Sequence, residues 1–130
     1  MLYNTRHIIT LWVIINIVIG ETMKIFKTKQ YEKDYKKKIV GKHLYKEIDR
    51  IQDIEELILD TDNLKTLLKN PLSNMYNIEQ KKGNLKELFT ARINGKLRLV
   101  MRPNGEYPYS QIDIVEINFI EIDNHHYGEG

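Results

Sequence analysis

Thr90 to Pro103 reads TARINGKLRLVMRP, three arginines and a lysine in fourteen residues that otherwise have the composition of strand. Asn94-Gly95 is a strong hairpin signal, and the register follows from parity. A two-residue turn pairs Arg92 with Leu97 and Ala91 with Arg98, which mixes charged and apolar groups on each face. A three-residue loop, Asn94-Gly95-Lys96, pairs Arg92 with Arg98 and Ile93 with Leu97 instead. That register makes an apolar face of Phe89, Ala91, Ile93, Leu97, Leu99 and Met101, and an opposite face of Thr90, Arg92, Arg98 and Arg102. Like charges directly opposite each other cost up to ~1 kcal/mol, so facing arginines are unhelpful unless an anion covers them. A phosphate suits the position, because forked guanidinium donors match its oxygens and stabilise the added charge of a pentavalent phosphorane. A solvent-facing strand with ordinary long basic side chains explains the same residues as well.

Working outward, Leu44, Ile48, Ile51, Ile54, Leu57 and Ile58 recur at three- and four-residue steps. Lys46, Glu47, Asp49, Arg50, Asp53, Glu55 and Glu56 lie between them, the pattern of an amphipathic helix. Asp60-Thr61-Asp62 offers capping oxygens for a further turn through Leu64, Leu67 and Leu68, and Asn70-Pro71 ends it. Tyr31 to Lys38 predicts a first helix, interrupted at Gly41, and Met23 to Lys27 a short first strand. Leu72 to Asn84 reads as loop. Further strands are expected at Glu87–Ile93, Leu97–Arg102 and Ile112–Ile122. The order βααβββ defines an α+β fold with helices packed on one face of a small twisted, mainly antiparallel sheet.

A chain of 130 residues fits one domain, and 42% hydrophobic with 29% charged residues describes a folded one. With no cysteine, disulfides, thiolate zinc sites and cysteine nucleophiles are excluded. The small net charge hides an uneven distribution. All 20 lysines and arginines lie at or before Arg102, among 12 acidic residues, while the rest of the chain carries six acids and neither lysine nor arginine. Such a split points to one surface for a polyanion and another that balances it.

Residues 1–22 differ from the rest and are read as a hydrophobic extension preceding a domain over 23–130. Ile8 to Gly20, IITLWVIINIVIG, is a thirteen-residue apolar run, short of the ~20 residues that span a bilayer. Three readings stay open: a weak signal-like segment with Arg6 before it, a marginal anchor, or an upstream stretch before a start at Met23.

The other end, EIDNHHYGEG, puts His125, His126 and Tyr127 directly after the last predicted strand. Imidazole transfers protons near neutral pH, and tyrosine can stack on a base or share a proton. A mobile hydrophilic tail accounts for the same residues. Adjacent histidines point to opposite sides of an extended chain, which argues against a shared metal ion. No acidic cluster is spaced for metal-dependent nuclease chemistry, and no cofactor is expected.

The run GNLKELFTARINGKLRLVMRP, followed by IVEINFIEIDNHHYG, resembles the RelE/ParE superfamily of bacterial type II toxins, in particular its HigB-like RelE branch. Its most specific part is Thr90 to Leu99: a small or hydroxyl residue, Arg, Ile, Asn, two further residues, a hydrophobic residue, Arg and Leu. The resemblance implies a RelE-like fold and a cytoplasmic toxin held inactive by a cognate antitoxin. It implies a metal-independent endoribonuclease that cuts mRNA, usually on the ribosome, leaving a 2′,3′-cyclic phosphate. On that pattern Arg92 and Arg98 are phosphate and transition-state stabilisers, His126 is the acid or base, and Tyr127 stands beside it. Lys81, Lys82, Lys96, Arg102 and His125 are implied RNA contacts, and Asn94 shapes the loop. Stable membrane association is not expected. A ParE-like gyrase-binding toxin and a non-catalytic antitoxin-binding domain remain as alternatives.

Overall fold

The computed structural model describes residues 22–124. In chain order the elements are β1 (Lys24–Lys27), α1 (Lys29–Asp34), α2 (Tyr45–Leu59), α3 (Leu64–Lys69), α4 (Pro71–Met75), β2 (Glu79–Gln80), β3 (Phe89–Arg92), β4 (Leu97–Pro103) and β5 (Glu116–Asn124). The strands form one sheet in the order β1-β5-β4-β3-β2, with β1 parallel to β5 and every other pair antiparallel. Helices packed against a mainly antiparallel sheet make this the expected α+β fold.

The amphipathic pattern of α2 buries Ile51, Ile54, Leu57 and Ile58, and α3 adds Leu64 and Leu67. They meet Phe89, Ala91, Leu99, Met101, Ile117, Phe119 and Ile122 from the sheet. A fully buried side chain of this size is worth about 1.5–3 kcal/mol, so this packing anchors the sheet on the helices.

Several boundaries differ from the sequence reading, each for a local reason. The stretch read as loop contains α4 and β2. Pro71 opens α4 in the first turn, where its missing N–H costs nothing, and the Asn70 side chain accepts from Leu72 N at 2.9 Å. Strand β2 is two residues long, too short for any periodicity, yet it pairs Glu79 with Thr90 and Gln80 with Phe89. The cap of α3 is Asn63, whose Oδ1 accepts from Thr66 N at 2.9 Å, rather than the Asp60-Thr61-Asp62 group. Helix α1 is shorter than expected and continues as a wider π-helical turn, Tyr35–Ile39, then a 3-10 turn, Val40–Lys42.

The last strand starts at Glu116, not Ile112. Ser110 Oγ donates to Asp113 Oδ2 at 2.7 Å, and Ile114 N donates to Ser110 O, which folds the segment into a turn. That turn also supplies carbonyl acceptors to the orphan N–H groups of Leu64 and Lys65 at the start of α3. A β-rich composition is overridden by turn and capping chemistry.

β1 covers only the first part of the β5 edge. Beyond it, side chains replace the missing strand: Thr28 Oγ1 donates to Ile120 O at 2.6 Å, and Lys38 Nζ to Ile122 O at 2.7 Å. The buried Asp34 carboxylate accepts from Ile122 N at 3.0 Å, with Gln30 Nε2 on its other oxygen at 2.8 Å. An exposed run of unpaired strand groups is thereby sealed, and the C-terminal half of β5 is held in place.

Candidate functional site

The hairpin adopts the three-residue loop. Arg92 pairs with Arg98, Ala91 with Leu99 and Phe89 with Met101, and Ile93 N donates to Leu97 O at 3.0 Å. All six residues of the expected apolar face are buried. Asn94 closes the loop with its side chain: Oδ1 accepts from both Lys96 N and Leu97 N at 2.8 Å. Its Nδ2 donates to Glu47 Oε2 on α2 at 2.8 Å, tying the loop to the helix layer. Gly95 has no left-handed φ, so the Asn-Gly pair works here through the asparagine amide and not through glycine's conformational freedom.

Directly opposite residues hold their Cβ atoms about 4.5–5.5 Å apart, so the side chains of Arg92 and Arg98 rise from neighbouring points on one face. They are held differently. Arg98 is half-buried and its Nη1 donates to Asn94 O at 2.7 Å and Leu97 O at 3.1 Å. The Arg92 side chain is exposed, and its main chain is what is fixed: N donates to Tyr76 O at 2.8 Å, and O accepts from Arg50 Nε at 2.9 Å. Arg50 also donates to Met75 O and stacks its guanidinium 4.7 Å from the centre of the Tyr76 ring.

Acidic residues share this face. Asp123 lies opposite Arg98, Glu121 opposite Val100 and Glu79 opposite Thr90. The separation of basic and acidic residues along the chain therefore does not persist on the sheet, because β5, from the acid-rich end, lies beside β4. Facing arginines with an aspartate in the same row repel each other less than the pair alone.

The other expected RNA-binding residues are dispersed. Lys81 is largely buried and stands 3.6 Å from Glu79 Oε1, whereas Lys82 and Lys96 are exposed. Arg102 shares the arginine face but pairs with Glu87 at 3.3 Å, four residues and about 13 Å along β4 from Arg98. Near it the Tyr109 hydroxyl donates to Glu87 O; burial raises its pKa, the Arg102 charge opposing. His125, His126 and Tyr127 lie outside the described residues. Among the described residues, no three His, Cys, Asp or Glu side chains could hold a metal ion, and no helix is long and apolar enough to cross a membrane.

Sequence reading missed Arg50 and Glu79. Arg50 looks like any other charged position on the outer flank of an amphipathic helix, and Glu79 sits in a strand too short to carry a pattern. It also missed a cavity of about 720 Å³ at the hairpin tip, walled by Lys96 and by Lys37, Lys38 and Lys42 from the turns after α1.

No family model matches the sequence, and no curated protein does. Solved structures do share its fold. The YoeB/ParE toxin from Agrobacterium tumefaciens superposes with a TM-score of 0.51 at 19% identity, covering 80% of this chain and 100% of that one. The YoeB dimer from Staphylococcus aureus gives 0.52 at 22% identity, over 81% and 98%. The E. coli DinJ-YafQ toxin-antitoxin complex gives 0.52 at 16% identity, over 80% and 93%. The chain thus has a RelE-like fold, that of the YoeB and YafQ toxins.

Proposed function

We propose that this chain is the toxin of a type II toxin-antitoxin pair, acting as a metal-independent endoribonuclease on mRNA at the ribosome. The observation that carries the reading is Arg92 opposite Arg98 on one sheet face, in the fold of the YoeB and YafQ toxins. In the reaction, the ribose 2′-hydroxyl loses its proton to a base and attacks the adjacent phosphorus. The 5′-oxygen leaves with a proton from an acid, and a 2′,3′-cyclic phosphate forms. Arg92 and Arg98 hold the phosphate and take up the charge that grows on its equatorial oxygens. His126 transfers the proton with Tyr127 beside it.

β5 runs toward the hairpin tip, where Asn124 pairs with Leu97, the first strand residue after the loop that joins the two arginines. Lys81, Lys82, Lys96, Arg102 and His125 contact RNA backbone in this reading. The toxin domain is 23–130, with 1–22 as an extension, and the protein works in the cytoplasm with a cognate antitoxin, as YafQ has DinJ. The HigB-like assignment within the superfamily rests on the Thr90 to Leu99 pattern.

Expressing the chain with His126→Gln and with Arg98→Ala, with and without ribosomes, tests the assignment. Loss of growth inhibition together with loss of ribosome-dependent mRNA cleavage is expected. Growth inhibition that survives both substitutions, with no cleaved mRNA, would replace the nuclease by a gyrase-binding toxin.

A further inference from the structure

The tip cavity is strongly basic for reasons the arginine pair does not explain. Lys38 is its fixed cation, since Nζ is held by Ile122 O at 2.7 Å and stands 3.8 Å from Asp34. Lys37, Lys42 and Lys96 are exposed and form no ion pair with any described residue. Among the described residues, no carboxylate lines the cavity. Glu47, the acid bonded to its Asn94 wall, is directed at the asparagine amide. Four lysines lining one concavity raise its potential, and an anion entering it relieves their repulsion.

We propose that this cavity is a second phosphate-binding site for the same RNA strand, engaging backbone next to the phosphate held by Arg92 and Arg98. It rests on the nuclease reading above. The cavity and the arginine pair share one loop, Asn94 to Lys96, so a strand lying on the arginine face reaches the cavity by turning around the hairpin tip. Lysines act as adaptable point charges, suited to phosphodiester oxygens in changing positions. Among the described residues, Leu44 and the buried Leu97 are its only apolar wall residues. A peptide ligand would need apolar anchors or an open strand edge, and at Leu97 both sides of β4 are occupied, by the loop hydrogen bonds and by β5. No aromatic ring among the described residues lines the cavity, so the site reads backbone and not base identity.

Gly95 supplies a variant that leaves the fold intact. Nothing lies within 4 Å of where its Cβ would sit, and its φ is not left-handed, so Gly95→Glu places a carboxylate on the cavity wall without strain. The experiment measures binding of a labelled ten-nucleotide single-stranded RNA, 2′-O-methylated against cleavage, to the full chain over a range of salt. Lys37→Gln with Lys42→Gln should weaken binding several-fold and reduce the slope of log K on log salt by about 1.4, at ~0.7 for each phosphate left without its lysine. Gly95→Glu should weaken binding comparably, with unchanged thermal unfolding in both variants.

Cavity variants that keep the wild-type slope, while Arg92→Ala with Arg98→Ala lowers it, would overturn the second site and leave the nuclease reading standing. A wild-type chain that binds no RNA at low salt would overturn the second site, while the nuclease reading is decided separately by mRNA cleavage in the presence of ribosomes. Cavity variants that lose only a ten-residue acidic peptide, with RNA binding unchanged, would make the cavity a protein-docking site and overturn the proposal.

Discussion

Arg50 holds Arg92 through the backbone: its Nε donates to the Arg92 carbonyl at 2.9 Å while its other arm reaches Met75 O at 3.1 Å and its plane lies over Tyr76. One side chain on α2 thus ties β3 to the C-terminal end of α4. A lysine could not donate in two directions from a planar fork. Arg50→Lys and Arg50→Met should each lower the free energy of unfolding by about 1–2 kcal/mol. Urea denaturation checks this, and on the nuclease reading kcat for RNA cleavage should fall more than KM rises, because Arg50 acts on Arg92 through its main chain. A change of only a few tenths of a kcal/mol would mean that the clamp contributes nothing.

The two arginines should separate in stability while agreeing in function. Arg98 donates to the carbonyls of Asn94 and Leu97, so Arg98→Ala should cost about 1–2 kcal/mol. Arg92 has an exposed side chain, and Arg92→Ala should stay within about 0.5 kcal/mol of wild type. Both should abolish RNA cleavage if they share a phosphate. Cleavage that survives Arg92→Ala would leave Arg98 acting without its neighbour.

Asn94 should be the costliest loop residue to replace. Asn94→Ala removes the acceptor for Lys96 N and Leu97 N and the donor to Glu47, a predicted loss of about 1–3 kcal/mol. Asn94→Asp keeps the loop acceptors but sets a carboxylate against Glu47, so it should be destabilised as well, and Glu47→Gln should rescue it. A double-mutant cycle by thermal unfolding reads the coupling; independence of the two sites would contradict the hydrogen bond between them.

Tyr31 is buried against Phe119, and its hydroxyl has no hydrogen-bond partner among the described residues. Burial first, then the Glu55 charge, pushes its pKa well above the usual value near 10. In the unfolded chain the phenol ionises near pH 10 while the folded chain keeps its proton, so the unfolded state binds fewer protons and stability falls as pH rises above about 10. Below that pH both states are protonated and the group adds no pH dependence. Tyr31→Phe should stabilise the protein by about 1 kcal/mol at pH 7 by removing the unpartnered hydroxyl. Its advantage over wild type should grow above pH 10, which denaturation at pH 7, 9 and 10.5 would measure.

Short-range rules account for much of what could be read before the structure. The three-residue loop, the Arg92 and Arg98 pairing and the buried face of α2 all follow from periodicity and parity, because a one-residue slip would expose every apolar group of the hairpin. Where local chemistry competed, the pattern misled. The turn at Ser110 to Asp113 took Ile112 out of the last strand, and Asn63 capped α3 in place of Asp60 to Asp62.

Only the tertiary structure decided which distant segments became neighbours. It set Asp123 beside Arg98, carried Arg50 to the Arg92 carbonyl, placed Glu79 on the arginine face and brought Lys37, Lys38 and Lys42 to the hairpin tip. None of these carries a local signal, because each depends on the order of strands in the sheet or on where the turns after α1 end. The sequence by itself determined the hairpin and its two faces, since register is a matter of adjacent residues. The electrostatic surroundings of those faces depend on chain topology, since charge acts through space between residues far apart along the chain.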